Sequence, residues 1–231
     1  MELNGAIAVV TGANRGLGRH LATQLLERGA SVYAAVRRPD ELDLPGTTPL
    51  RIDVTDPESV EAAAQIATDA TLLINNAGIS TYVPLIGGDL DVVRQELETN
   101  FYGPLAVTKA FAPVIAANGG GAVLNILSVI SWMHPAQAGA YAAAKAAAWA
   151  LTDAAREELE PQGIAVSGLH VGYMDTDMTA RLTDVPKADP ADVATQALDG
   201  IAKGAPEILA DDVTRQVRQG LANGPIPTRL G

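Results

Sequence analysis

Residues 6–18 read A-I-A-V-V-T-G-A-N-R-G-L-G, an apolar run that breaks into three glycines and then resumes at helical period. Ala6–Thr11 has the composition of a buried strand. Leu17, Leu21, Leu25 and Leu26 then recur on one face of a helix predicted over Arg15–Arg28, with Gly29 as its stop. In the turn between them, Gly12 allows a tight reversal, while Gly16 and Gly18 let backbone and ligand approach the helix N-terminus. Free N–H groups and the helix dipole favour a pyrophosphate there. Gly12, Asn14, Arg15, Gly16, Leu17 and Gly18 are therefore candidate nucleotide contacts. A glycine turn alone is weak evidence; at the first strand-to-helix junction of an alternating pattern it is much stronger.

That alternation continues outward from the turn. Strands are predicted at Ser31–Val36, Leu50–Val54, Thr71–Asn75, Ala122–Ser128, Ala165–His170 and Glu207–Ala210. Helices are predicted between them, one opening at Asp56-Pro57-Glu58 with a cap, a proline and an acid, and others over Leu90–Ala117, from before Tyr141 to about Glu160, and over Ala191–Gly204. Strand and helix in turn, joined by right-handed crossovers, give a Rossmann-type α/β fold: a doubly wound parallel sheet of about seven strands with helices on both faces. Ligands of such sheets bind at the carboxyl ends of the strands, where Gly12, Asp53, Asn75 and Ser128 fall. Residues 173–189 are polar and aperiodic and read as a substrate loop or lid, and 222–231 as a frayed tail. No composition break divides the 231 residues, so one domain over 1–231 is expected.

A balance of 27 acidic against 16 basic residues disfavours nucleic acid or an anionic membrane as partner. Residues 1–38 are the exception, with five arginines against two acids, which points to a local anion. There is no cysteine, no long apolar run and no signal-like N-terminus, so a cytoplasmic location is expected. The three histidines lack metal-ligand spacing, and no G-x-S-x-G turn is present; metal catalysis and acyl transfer are disfavoured.

Chemistry is concentrated in S-V-I-S-W-M-H-P-A-Q-A-G-A-Y-A-A-A-K, residues 128–145. Tyr141 and Lys145 lie four apart in an alanine-rich helix and share a face. An ammonium beside a phenol favours phenolate, so Lys145 is expected to lower the Tyr141 pKa and make it a usable acid or base. At the end of the second strand, where a ribose-binding carboxylate would select NAD, Val36 is followed by Arg37 and Arg38. With Arg15 they are suited to a 2′-phosphate, favouring NADP; a solvated pair before Pro39-Asp40 is the bland alternative.

These motifs in this order resemble the short-chain dehydrogenase/reductase family over nearly the full length: the glycine turn at 11–18, Asp53, N-N-A-G at 75–78, Asn100, and Ser128 thirteen residues before Tyr141 with Lys145 following. The resemblance implies that Tyr141 is the general acid/base and that Ser128 holds the substrate oxygen. It implies that Lys145 also binds the nicotinamide ribose and that Asn100 completes a proton relay. Pro104, lacking an N–H, cannot bond the Asn100 carbonyl and leaves it free for water, although Gly103-Pro104 is equally a simple kink. By resemblance, Asp53 with Val54 recognises adenine, Asn75, Ala77 and Gly78 line the nucleoside side, and Gly172 and Thr176 meet the nicotinamide. Val171-Gly172 departs from the family's Pro-Gly. Trp132, Met133, His134, Tyr82, Tyr173 and Met174 either border the substrate or pack in the core.

The sequence thus reads as an NADP(H)-dependent carbonyl reductase or alcohol dehydrogenase acting on a small molecule. A homodimer or homotetramer is compatible with the small side chains beside Lys145. The alternatives are a catalytically inactive NADP-sensing protein, or a related reductase acting on an imine or activated double bond.

Overall fold

The computed structural model describes residues 1–221; the tail expected to fray, 222–231, lies outside them. Among the described residues seven strands form one sheet: β1 (Ile7–Thr11), β2 (Ser31–Val36), β3 (Thr48–Arg51), β4 (Leu72–Asn75), β5 (Gly121–Ile126), β6 (Ile164–His170) and β7 (Glu207–Leu209). All neighbouring pairs are parallel and the order is β3-β2-β1-β4-β5-β6-β7. This is the Rossmann-type doubly wound sheet the pattern calls for, and the order reverses beside β1, opening a crevice between the ends of β1 and β4.

The helices are α1 (Gly16–Glu27), α2 (Pro57–Ile66), α3 (Leu90–Leu97), α4 (Gly103–Ala117), α5 (Gly139–Leu159), α6 (Pro190–Ala202) and α7 (Asp212–Gly220). Alternate residues of each strand feed opposite faces of the sheet, as a period of two requires. Ala8 and Val10 of β1 join Leu21 and Leu25 of α1 and Leu198 of α6 in one core, whereas Val9 joins Val60 of α2 and Phe111 and Ile115 of α4 in the other. Each fully buried leucine contributes about 1.5–3 kcal/mol by leaving water.

Caps set the helix starts. Asp56 accepts from the Glu58 N–H at 3.1 Å ahead of Pro57, and Asp189 accepts from the Ala191 N–H at 2.8 Å ahead of Pro190. Among the described residues no helix is long and apolar enough to cross a membrane.

Beyond shifts of one or two residues at element ends, the structure differs from the sequence expectation in three places. β3 ends at Arg51 rather than Val54, because its partner β2 ends at Val36 and the ladder has no further rungs; Pro49 is tolerated since β3 is an edge strand. The helix expected over Leu90–Ala117 is interrupted by a π-helical turn at Glu98–Tyr102, closed by the Gly103 N–H on the Glu98 carbonyl. Pro104 follows directly and has no N–H to return to the Asn100 carbonyl, so the α-helical ladder lacks a rung at this break. Helix α7 was not expected: it is short and polar, buries only Thr214, and is nucleated by Asp211, which accepts from the Thr214 N–H and hydroxyl at 2.7 Å each.

The 173–189 segment is held at its two ends. Met174 and Ala188 form a parallel bridge, the Ala188 N–H donates to the Tyr173 carbonyl at 2.8 Å, and the Asp175 N–H donates to the Ala188 carbonyl at 3.0 Å.

Candidate active site

A cleft of about 1560 Å³ lies at the carboxyl ends of the strands. Its floor on one side is the glycine turn. Gly12 has φ +69° and Gly16 φ +53°, a left-handed region where a side chain is strained, so the turn depends on glycine at both positions. Helix α1 opens at Arg15 with no side-chain cap and no acid in its first turn, leaving its positive end directed at the cleft. That uncapped terminus fits a diphosphate, and Gly12, Asn14, Arg15 and Gly16 line the cleft beside it.

Gly18 has a packing role as well. A Cβ on it would overlap the Gly12 carbonyl oxygen and stand 2.5 Å from Asn76 Nδ2, so this glycine, which also lines the cleft, serves close packing of α1 on the turn. The Leu17 side chain is likewise turned into the core, which leaves its backbone as the part available to the cleft.

Asn75 needs correcting. It is buried on β4, its Nδ2 donating to Thr108 Oγ1 at 3.0 Å and Asn125 Oδ1 at 2.8 Å, and the wall of the cleft is instead Asn76, Ala77 and Gly78. Thr11, which sequence reasoning passed over, ties this wall to β1: its Oγ1 accepts from the Asn76 and Ala77 N–H groups at 2.9 and 3.0 Å.

Asp53, Val54, Arg37 and Arg38 line one end of the cleft. Partial burial works to raise the Asp53 pKa, but hydrogen bonds from Thr55 and the charges of Arg37 and Arg51 outweigh it and hold the carboxyl below its usual range. Arg38 pairs with Glu41 at 2.8 Å and Arg15 with Asp177 at 3.1 Å, both on open surface where such pairs are weak.

At the other end the structure brings together Ser128, Tyr141 and Lys145. Ser128 follows β5, and its Oγ lies 3.3 Å from the Val171 carbonyl and accepts from the Ile130 N–H at 3.3 Å. Lys145 is buried on α5 and donates to the Ile126 carbonyl at 2.8 Å, with its Nζ 5.8 Å from the centre of the Tyr141 ring. The expectation that Lys145 lowers the Tyr141 pKa is not met. Burial dominates and raises it well above the usual tyrosine range, Glu96 and Tyr82 raise it further, and Ser128 opposes them by hydrogen bonding. Burial also lowers Lys145 to about 8, against an opposing effect of Glu96.

Asn100 sits behind this group, fully buried in the π turn rather than on the cleft wall. Its Oδ1 accepts from the Ile79 N–H at 3.3 Å and its Nδ2 donates to the Ile79 carbonyl at 3.1 Å. Thr176 packs against Gly16, and the Gly172 N–H donates to Asp211 Oδ2 at 2.6 Å, which fixes the backbone at Val171-Gly172 from the start of α7. Of the aromatic candidates, Tyr82 and Tyr173 line the cleft with Met133 and Met174, whereas His134 faces a separate apolar groove beside Leu85 and Ile86.

Trp132 belongs to the core, stacked on His170 with ring centres 3.9 Å apart. His170 Nδ1 lies 3.3 Å from the Ser128 carbonyl. Burial pushes His170 down to about 4, partly offset by that carbonyl and by Glu207. The folded state therefore stays neutral while the unfolded chain takes up a proton, so stability present above the ordinary histidine pKa is lost as pH falls from 6.5 to 4. His170→Gln lacks this penalty. Urea titrations of both proteins should show the wild type losing on the order of 3 kcal/mol relative to the variant between pH 7 and pH 4.

The comparisons with known proteins agree with this geometry. The family model for short chain dehydrogenase matches residues 6–187. The chain is 34% identical over 195 residues to the 3-oxoacyl-(acyl-carrier-protein) reductase FabG of Vibrio cholerae serotype O1, covering 80% of each protein. A short chain dehydrogenase from Burkholderia cenocepacia, solved in complex with NADP, is similar with a TM-score of 0.90 and 38% identity, over 96% of this chain and 95% of that one. A short-chain dehydrogenase/reductase from Burkholderia phymatum, solved with NAD, shares the fold at a TM-score of 0.86 and 24% identity, over 100% of this chain and 99% of that one. With the glycine turn, the seven-stranded parallel sheet and the Ser128, Tyr141 and Lys145 cluster in one cleft, the chain belongs to the short-chain dehydrogenase/reductase family of oxidoreductases, which bind a nicotinamide cofactor.

Proposed function

We propose that the protein is an NADP(H)-dependent oxidoreductase that interconverts a carbonyl and an alcohol, with Tyr141 as its general acid/base. The observation that carries this reading is the convergence of Ser128, Tyr141 and Lys145 at one end of a cleft whose other end is the uncapped start of α1. NADP(H), when bound, supplies or accepts the hydride. The chain supplies the rest. The α1 terminus and the turn at Gly12–Gly16 would receive the diphosphate, Asp53 and the Asn76–Gly78 wall the nucleoside, and Gly172 and Thr176 the nicotinamide side. Ser128 orients the substrate oxygen, and Tyr141 donates a proton to it in the reducing direction. A phenol raised by burial stays protonated near neutral pH and is available for that donation. Loss of NADPH absorbance against a panel of ketones, aldehydes, imines and activated alkenes tests the reading; no turnover across the panel together with tight NADPH binding would overturn it.

NADP rather than NAD is favoured by the end of β2. Val36 stands there with Arg37 and Arg38 beyond it, arginines where an acid would accept from a ribose 2′-hydroxyl. The Arg38–Glu41 and Arg15–Asp177 pairs are exposed and exchangeable, and a 2′-phosphate offers a charge-assisted, bidentate partner in their place. The double variant Arg37→Ala/Arg38→Ala is expected to raise KM for NADPH by about tenfold or more with KM for NADH little changed. Steady-state kinetics with both cofactors checks this, and an equal rise for both would assign the arginines no part in cofactor choice.

A further inference from the structure

Glu96 is a carboxylate with no access to solvent, on the inner face of α3 one helical turn before Asn100. A carboxyl at full burial is rare without a cation beside it, yet Glu96 makes no ion pair of 4 Å or less among the described residues. It is surrounded by neutral donors instead. Its Oε2 accepts from Asn100 Nδ2 at 2.8 Å, and its Oε1 accepts from the Thr81 hydroxyl at 2.7 Å and from the Thr81 N–H. Asn100 in turn holds both the N–H and the carbonyl of Ile79. One carboxylate thus joins the π turn to the 79–81 segment, which leads into Tyr82 on the cleft wall.

The same carboxylate stands close to the proton-transfer pair. Asn100 Oδ1 and Lys145 Nζ both crowd the open side of Gly78, at 2.8 and 3.9 Å from where its Cβ would be. The titratable groups that act on Tyr141 are Glu96 from α3 and Tyr82 from the segment after β4, with the Ser128 hydroxyl after β5; Glu96 is also the charge that acts on Lys145. After burial, which is the larger influence on both, Glu96 raises the pKa of Tyr141 and of Lys145 alike. A negative charge disfavours phenolate and favours ammonium, so the contribution of Glu96 has the same sign at both groups.

We propose that Glu96 is a positioning residue for the reaction: it locks Asn100 and the Ile79–Tyr82 wall in one arrangement and sets a fixed negative charge behind Tyr141 and Lys145. This rests on the reading of Tyr141 as the acid. The charge opposes loss of a proton from either group, which suits a site that donates protons to a carbonyl. It also holds the Asn100 side chain within the π turn, since all four of its side-chain hydrogen bonds run to Glu96 or to the backbone of Ile79.

The test is Glu96→Gln in the full-length protein, with NADPH and whichever carbonyl substrate the panel yields. Glutamine keeps the size and can still accept from Thr81, but it removes the charge and turns an N–H donor toward Asn100 Nδ2. The expected result is a fall in kcat of about tenfold or more, with NADPH affinity within about threefold of wild type. The alkaline limb of the kcat–pH profile should move to lower pH by about half a pH unit or more, because Tyr141 and Lys145 both lose their protons earlier. Glu96→Asp keeps the charge but withdraws it from Asn100, and should lower kcat with the alkaline limb in place. An unmoved limb and wild-type kcat in Glu96→Gln overturn the proposal; if that variant does not fold, wild-type kcat in Glu96→Asp does so. Tyr141→Phe separates the two levels: an inactive Tyr141→Phe beside a fully active Glu96→Gln removes the role of Glu96 alone, while an active Tyr141→Phe removes the reading beneath it.

Discussion

Replacing Tyr141 by phenylalanine is expected to lower turnover by about 10²–10⁴-fold while NADPH affinity stays within a few-fold of its starting value. The substitution removes one oxygen and little else. The ring remains beside Lys145, whose ammonium keeps its bond to the Ile126 carbonyl, and the glycine turn that would receive the diphosphate lies at the far end of the cleft. The two nearest polar groups are poor substitutes: Ser128 hydroxyl protons are far less available, and Lys145 is turned to a backbone carbonyl. Initial rates with saturating NADPH, together with a fluorescence titration of NADPH alone, separate chemistry from binding. Turnover near the wild-type value would remove Tyr141 from the proposed mechanism. The pH behaviour follows from burial: a phenol raised above its usual range stays protonated through neutrality, so the reductive rate should be lost on the alkaline side and not on the acid side through this group.

Gly18→Ala is the second large effect, and it falls on the fold as well as the site. The new methyl would overlap the Gly12 carbonyl oxygen and stand 2.5 Å from Asn76 Nδ2, the amide that donates to the Thr11 carbonyl at 2.8 Å. Backbone cannot yield as a flexible side chain can, so helix α1, the turn and the Asn76 wall must separate. Overpacking of this kind costs about 1–3 kcal/mol or more, which lowers the melting temperature by roughly 2–12 °C in a chain of this size. Because the displaced groups are the ones proposed to hold the diphosphate, NADPH affinity should fall with it. Gly87→Ala, where nothing lies within 4 Å of the added carbon, is the matched control and should melt within about a degree of wild type. A melt and an NADPH titration on the two variants suffice; equal behaviour would mean that α1 does not need the close approach.

What sequence could show divides along the range of the interaction responsible. β2 was legible residue for residue, and so were the capped start of α2 and the Tyr141–Lys145 face of α5, because strand periodicity, capping and helical spacing are local. The choice between Asn75 and Asn76 was not, since it depends on which way the pleat points at the last rung of β4, a parity of one residue. The direction of the Tyr141 shift was missed because a neighbouring ammonium is visible in the sequence, whereas the burial contributed by distant segments is not. Glu96 left a signal that went unused: it stands four residues before Asn100, but an acid among Arg94, Gln95 and Glu98 reads as a solvated helix face. Only its packing against α5 and the 79–81 segment turns it inward.

The stitch between Met174 and Ala188 has a consequence for how such a protein can diversify. Its paired ends confine residues 175–187 to a cassette whose entry and exit points are independent of what lies between them. Thr176, Asp177 and buried Thr179 tie its first part to Gly16, Arg15 and Met174, but loop closure costs grow only slowly with length, so the part beyond Thr179 can be lengthened with little penalty to the sheet. Residues 180–187 of this segment can therefore be exchanged while Ser128 after β5, Tyr141 and Lys145 on α5, and Thr176 against Gly16 stay in place, which makes them the stretch to randomise when the proposed substrate range is to be altered.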